Sequence, residues 1–124
     1  MPVIHAANAR TFSVPGSTFT GLAAPSTGAA ETAVWMLTIA PGSSGMPHRL
    51  TREEVFVATA GRATATIDGH AHDIAAGDAL IVPADADFAI GNPADTPFQA
   101  IVAFPVGGQA CLTGGQPFTP PWAA

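Results

Sequence analysis

The sequence predicts an all-β domain of the sandwich or jelly-roll kind, on three observations. Short apolar runs recur along the chain at regular spacing, each bounded by turn residues. Thirteen glycines and twelve prolines in 124 residues favour short strands and many turns over long helices. One hairpin signal, Asp68-Gly69, is strong, because a two-residue type I′ turn needs positive φ at both central positions. The length fits one domain with a real core, although much of the 48% hydrophobic content is alanine, which buries little area.

Taken in order, residues 1–31 form an N-terminal arm with two short strands, Thr11 to Val14 and Thr18 to Leu22, around the Pro15-Gly16 turn. Ala23 to Ala30 is small, turn-rich and reads as a loop. Residues 33–104 form the body. Ala33 to Ile39 is apolar or threonine on both faces, as expected of a strand covered on both sides. A loop with glycines and a proline follows, and a second strand, Val55 to Ala58, is closed by Gly61. Arg62 to Ile67 and Ala71 to Ile74 are the two arms of the Asp68-Gly69 hairpin. Ala79 to Val82 starts after the Gly77-Asp78 turn and stops at Pro83. Phe88 to Ile90 is short and is turned by Asn92-Pro93 with Asp95, and Phe98 to Phe104 is the last clear strand. Residues 105–124 are too rich in proline and glycine for regular helix or a central strand. Phe118 and Trp122 are large enough to anchor this tail, either as packing for stability or as a flap over the open end of the body.

The composition excludes several classes. The net charge is −5, with four basic residues, all arginine. No basic patch forms, so nucleic acid and anionic membranes are not expected partners. Without lysine there is no Schiff-base chemistry through a lysine amine. Cys111 is the only cysteine, which precludes an intrachain disulfide and reads as a small hydrophobe in the tail. The stretch MPVIHAANARTF lacks the basic and continuous apolar regions of a signal peptide, and no apolar run approaches the ~18 residues of a membrane span. A cytoplasmic protein is expected. No Ser–His–Asp arrangement, P-loop or dinucleotide fingerprint occurs.

The stretch from Gly42 to Gly61, GSSGMPHRLTREEVFVATAG, carries the chemistry. It places His48 and Glu54 at a strand–loop–strand junction, where an imidazole nitrogen and a carboxylate oxygen either share a metal or exchange a proton. This stretch resembles the first motif of the cupin family, G-x5-H-x-H-x3-E-x6-G, with Gly42, His48, Glu54 and Gly61 in register. The later stretch GDALIVPADADFAIGN resembles the second cupin motif, G-x5-P-x-G-x2-H-x3-N, with Gly77, Pro83 and Asn92 in register. The short gap from Arg62 to Ala76 fits the family, and the resemblance covers roughly Val34 to Phe104. It implies a cupin double-stranded β-helix or jelly-roll barrel.

The resemblance also implies a metal site of three histidines and one glutamate, from which this chain departs. The second histidine position holds Leu50, the second-motif histidine position holds Phe88, and the glycine before it is Asp85. Of the four expected ligands, His48 and Glu54 remain. Transition-metal sites usually take three or four protein ligands, so no tightly held cofactor is expected. The alternative is one divalent ion (Zn, Fe, Mn or Ni) on His48, Glu54 and a further group such as Glu53.

Side chains alternate along a strand. His48 and Leu50 therefore share a face, as do Glu54 and Phe56, and Phe88, Ile90 and Asn92. The expectation is an apolar cavity holding two ionisable groups, a usual make-up for a small-molecule site. Burial raises a carboxyl pKa and lowers an imidazole pKa, mutual attraction opposes both, and the separation decides. His70 and His72, just past the hairpin turn, read as surface residues, as does His5. Arg49 and Arg52 read as exposed partners of Glu53 or aspartates, or as groups that meet an anionic ligand. Asp85 and Asp87 read as a solvated acidic loop.

Three functions are open from sequence. One is a small-molecule site with weak or no metal, in which His48 and Glu54 bind or do acid–base work. The second is a metal-dependent enzyme of dioxygenase or isomerase type with a non-standard ligand set. The third is a non-catalytic ligand-binding module. Val55, Val57 and the alanine-rich arm offer more apolar surface than one small barrel covers, so a homodimer is expected.

Overall fold

The computed structural model describes residues 2–124. Eleven antiparallel strands form two sheets. The strands are β1 (Thr11–Val14), β2 (Ser17–Ala23), β3 (Thr32–Ile39), β4 (His48–Leu50), β5 (Glu54–Ala60) and β6 (Arg62–Ile67). They continue as β7 (His70–Ala75), β8 (Ala79–Val82), β9 (Phe88–Gly91), β10 (Phe98–Pro105) and β11 (Ala110–Leu112). The six-stranded sheet runs β1-β2-β3-β10-β5-β8 and the five-stranded sheet β11-β4-β9-β6-β7. This is the jelly-roll barrel expected from the sequence. No helix among the described residues is long and apolar enough to cross a membrane.

The local rules operate as the residues dictate. Asp68 and Gly69 both have positive φ, 49° and 81°, and Ile67 pairs with His70 on either side of them. Aspartate tolerates the left-handed region better than most residues, and here Asp68 Oδ1 also ties the turn to the segment before β9 by accepting the Asp87 N–H at 2.9 Å. Asp85, standing where the motif has glycine, keeps the glycine-like geometry at φ 64°, and its N–H donates to the Leu50 carbonyl at 2.8 Å.

The core lies between the sheets. Trp35, Leu37 and Ile39 of β3, Phe98, Val102 and Phe104 of β10, and Phe56 and Leu80 all point into it. Burying each such side chain contributes roughly 1.5–3 kcal/mol. The expectation that β3 is covered on both faces is corrected. Its residues alternate between buried and partly or fully exposed, and Met36 faces outward. Thr32, Val34 and Thr38 share the outward face with Met36, because an outward β position favours branched side chains whether or not anything covers it.

The tail is packed at two places. Ala110–Leu112 pairs with β4 as an edge strand, and Phe118 bridges back to Ala110. Trp122 then stacks on Phe19 with ring centroids 3.6 Å apart and meets Trp35 edge-on at 6.4 Å. Trp122 is therefore the anchor expected from the sequence, whereas Phe118 is exposed.

Candidate functional site

The loop before β4 is held tightly against β9. Ser43 bridges to Asn92, whose N–H donates to the Ser43 carbonyl at 2.8 Å. Gly45 passes so close to the Ile90 backbone that any Cβ there would collide with it. This seating delivers His48 into β4 directly opposite Phe88 of β9. Leu112 of β11 lies on the other side of His48, and Ile67 of β6 lies beyond Phe88. Directly opposed residues of antiparallel strands share a face, so Leu112, His48, Phe88 and Ile67 form one row.

His48 is half-buried, and its Nδ1 lies 2.8 Å from the Met46 carbonyl oxygen. A carbonyl only accepts, so Nδ1 carries the hydrogen and Nε2 of the neutral ring is a free acceptor. The ring meets Phe88 edge-to-face at 5.2 Å, and Phe88 in turn meets Phe56 at 5.6 Å.

Glu54 starts β5 opposite Val82 and points inward with Phe56 and Ala58. It is 5% exposed. Among the described residues, none gives its carboxyl a hydrogen bond or an ion pair. Burial alone pushes its pKa up to about 8. At neutral pH Glu54 is therefore mostly a neutral acid with a proton to give. His48 is half-buried and is not bonded to Glu54, so no attraction between them offsets the burial of the carboxyl.

Leu50, Phe56 and Phe88 are only 2–3% exposed. The cavity expected from sequence is thus largely filled by its own lining, because the two residues in the missing histidine positions are large and apolar. Ile90 is half-buried against the core. Asn92 is corrected from pocket lining to a structural clamp. Its Nδ2 donates to the Ile39 and Thr96 carbonyls at 3.0 and 2.8 Å, and its Oδ1 accepts the Ala94 N–H at 3.0 Å. Both amide donors are thus engaged by backbone carbonyls, and the side chain has no exposed surface.

The donor set does not fit a resident transition-metal ion. Among the described residues, no three of His, Cys, Asp and Glu come together to hold one. Glu53 does not join Glu54, because it is exposed in the loop just before β5 whereas Glu54 is buried. His70 and His72 lie exposed on β7, an edge strand, and His5 is exposed in the arm. Arg49 pairs with Asp87 at 2.7 Å, with both side chains more than half exposed, and contributes little to stability. The sequence missed two parts of the site, Leu112 and the Met46 carbonyl. A three-residue strand between glycine pairs carries no periodicity to find, and a backbone acceptor leaves no trace in residue type.

Comparison with known proteins places this geometry. A family model described as a cupin domain matches residues 35–104. A curated relative, the dimethylsulfoniopropionate lyase DddW of Ruegeria pomeroyi, is 45% identical over 47 residues. That match covers 38% of this chain and spans 31% of the lyase's length. Among solved structures, the polyketide cyclase RemF of Streptomyces resistomycificus superposes with a TM-score of 0.76 at 17% identity, over 85% of this chain and 79% of that one. An RmlC-like cupin from Shewanella frigidimarina superposes at 0.71 and 19% identity, over 83% and 88%. At those identities the structural likeness speaks for fold.

Proposed function

This chain belongs to the cupin-domain family, and we propose that it takes a small, largely apolar molecule at the His48 end of the barrel without a resident metal. In this reading His48 is the base and Glu54 the acid. The observation that carries it is the fixed tautomer of His48. The Met46 carbonyl holds the Nδ1 hydrogen, so the free Nε2 is ready to accept a proton beside apolar Phe88 and Leu112. The two titratable groups have different environments. Glu54 is buried and neutral, whereas His48 sits at the surface, and separated environments of this kind assign acid and base roles.

The stretch shared with a dimethylsulfoniopropionate lyase supports proton chemistry of the lyase type, in which a base removes a proton from carbon as a leaving group departs. Polyketide cyclase likeness supports only the fold. The test is a panel of small carbon acids that includes dimethylsulfoniopropionate, with each compound followed by proton NMR in the presence of the purified chain. Turnover that falls ~10²–10⁴-fold in His48→Gln supports the reading. Binding without turnover supports a ligand-binding module, and turnover only after a divalent ion is added supports a metal-dependent enzyme. Either result displaces the proposal.

A further inference from the structure

A cleft lies where the N-terminal arm, the β1–β2 hairpin and the end of the tail meet, apart from His48 and Glu54. It holds about 150 Å³, and a cavity of that size takes a molecule about as large as benzene. Ile4, Phe12, Leu22 and Trp122 give it apolar walls, and Arg10 is the one charged residue that lines it. The chain has nine acidic residues, yet none lines the cleft, and among the described residues no carboxylate pairs with Arg10. The guanidinium carbon stands 4.9 Å from the centre of the Phe12 ring, a cation–π contact that holds the group without neutralising its charge. Trp122 is held in turn by its stack on Phe19 and its edge contact with Trp35. Both the cation and the apolar wall are thus in place before any ligand arrives, which lowers the cost of ordering them on binding.

Gly21 of β2 opens onto the same cleft. Glycine weakens a strand interior, and where it stands in one it marks a bulge, a bend or the close approach of a ligand or another backbone. The register does shift between Gly21 and Ala23. A bulge that demands glycine, however, places it in the left-handed region, and Gly21 does not lie there. An added Cβ would meet the Phe12 ring at 3.5 Å and the Arg10 and Trp122 carbonyl oxygens at 3.7 and 3.9 Å, all ordinary contacts. Neither backbone strain nor crowding calls for glycine here, and a side chain at this position would project among the groups that line the cleft. We propose that the cleft binds a small monocarboxylate with a short apolar tail, its carboxylate on Arg10 and its tail against Phe12, Leu22 and Trp122. Guanidinium and carboxylate match in charge and in paired hydrogen-bond geometry. A multiply charged phosphate would meet one cation and apolar walls, whereas a monocarboxylate satisfies both halves of the cleft.

The test is a titration of the full chain with sodium butyrate at constant ionic strength, followed by saturation-transfer NMR. The expected dissociation constant is ~1–10 mM, in keeping with so small a ligand. Butyramide keeps the shape without the charge and should bind at least ~10-fold more weakly. Arg10→Gln, at an exposed position, should weaken butyrate by a similar factor. Gly21→Val should do the same by filling the cleft, while leaving the guanidinium in place. Arg62→Gln is the control, because Arg62 is exposed on β6 and does not line the cleft; it should bind butyrate like the parent. Circular dichroism confirms that each variant keeps its β-structure. A parent that shows no saturation, butyramide that binds as well as butyrate, a folded Arg10→Gln or Gly21→Val that binds like the parent, or an equal loss in Arg62→Gln overturns the proposal.

Discussion

His48 and Phe88 face each other across β4 and β9, with ring centroids 5.2 Å apart and planes inclined at 64°. In the family pattern both positions carry imidazoles. Here one imidazole survives and an aromatic hydrocarbon fills the place of the other, with 2% of its surface exposed. Phe88 joins the hydrophobic core through Phe56 and carries it up to His48. Replacing a coordinating side chain with a packed one removes donors and shields the remaining ionisable groups from water.

Phe88→Ala tests that packing. Truncation of a fully buried phenylalanine costs about 3–5 kcal/mol, with the upper end where the surroundings do not collapse. Phe56 and His48 each lose an aromatic neighbour, so collapse from two sides is needed to close the gap. The expected outcome is a lower urea midpoint for the variant, partly restored by saturating benzene, which enters apolar cavities. An unchanged midpoint would show that Phe88 does not support the core.

Asn92→Ala removes two donors and one acceptor at a side chain with no exposed surface. It strands the carbonyls of Ile39 and Thr96, and a buried polar group left without a partner costs about 1–3 kcal/mol. Asn92→Asp should be worse, since a carboxylate oxygen would face the same two carbonyls. Urea unfolding of both variants checks the order.

The two sheets were legible in the sequence because their longer strands carry their own signals. Arg62 to Ile67 and Ala79 to Val82 are read from β-rich composition between turn residues, and both bounds agree with the structure. Inward placement of Glu54 and Phe56 follows from alternation alone. The wall beside His48 was not legible. Leu112 reaches His48 across a long stretch of intervening chain, and the tail's glycines and prolines signal turns without saying where they return. Nor does sequence say that Leu50 and Phe88 fill the interior rather than line a void, because packing depends on how closely the two sheets approach.

Glu54 gives the chain a pH dependence of definite sign. Its pKa rises from 4.5 in the unfolded reference to about 8 in the fold, by burial. The folded state therefore holds the proton more tightly, and the resulting stability is fully present below about pH 4.5. It is lost progressively as pH rises through about 8. The loss attributable to this group is on the order of 5 kcal/mol at most. Glu54→Gln, which keeps the shape without the ionisation, should flatten the decline between pH 6 and 9 in urea midpoints. A parent whose stability is flat over that window would show that Glu54 is better solvated than its burial implies.

Leu50→His with Phe88→His is expected to rebuild a four-ligand site. Phe88 lies opposite His48, and Leu50 stands two residues further along β4 on the same inward face. Asp85 already holds the backbone turn that the motif assigns to glycine. The two new imidazoles join His48 and Glu54, which raises the donor number from two to four. Zinc or nickel affinity should rise by orders of magnitude over the parent. The metal must displace the Glu54 proton, so affinity should climb with pH toward about 8 as well as through the range in which histidine deprotonates. Loss of two apolar side chains from the core should cost the metal-free variant roughly 1–3 kcal/mol or more, and metal should return part of it by binding the folded state. Calorimetric titration at pH 6, 7 and 8 measures both effects. A folded double variant that binds no better than the parent would show that these four positions do not converge on one point.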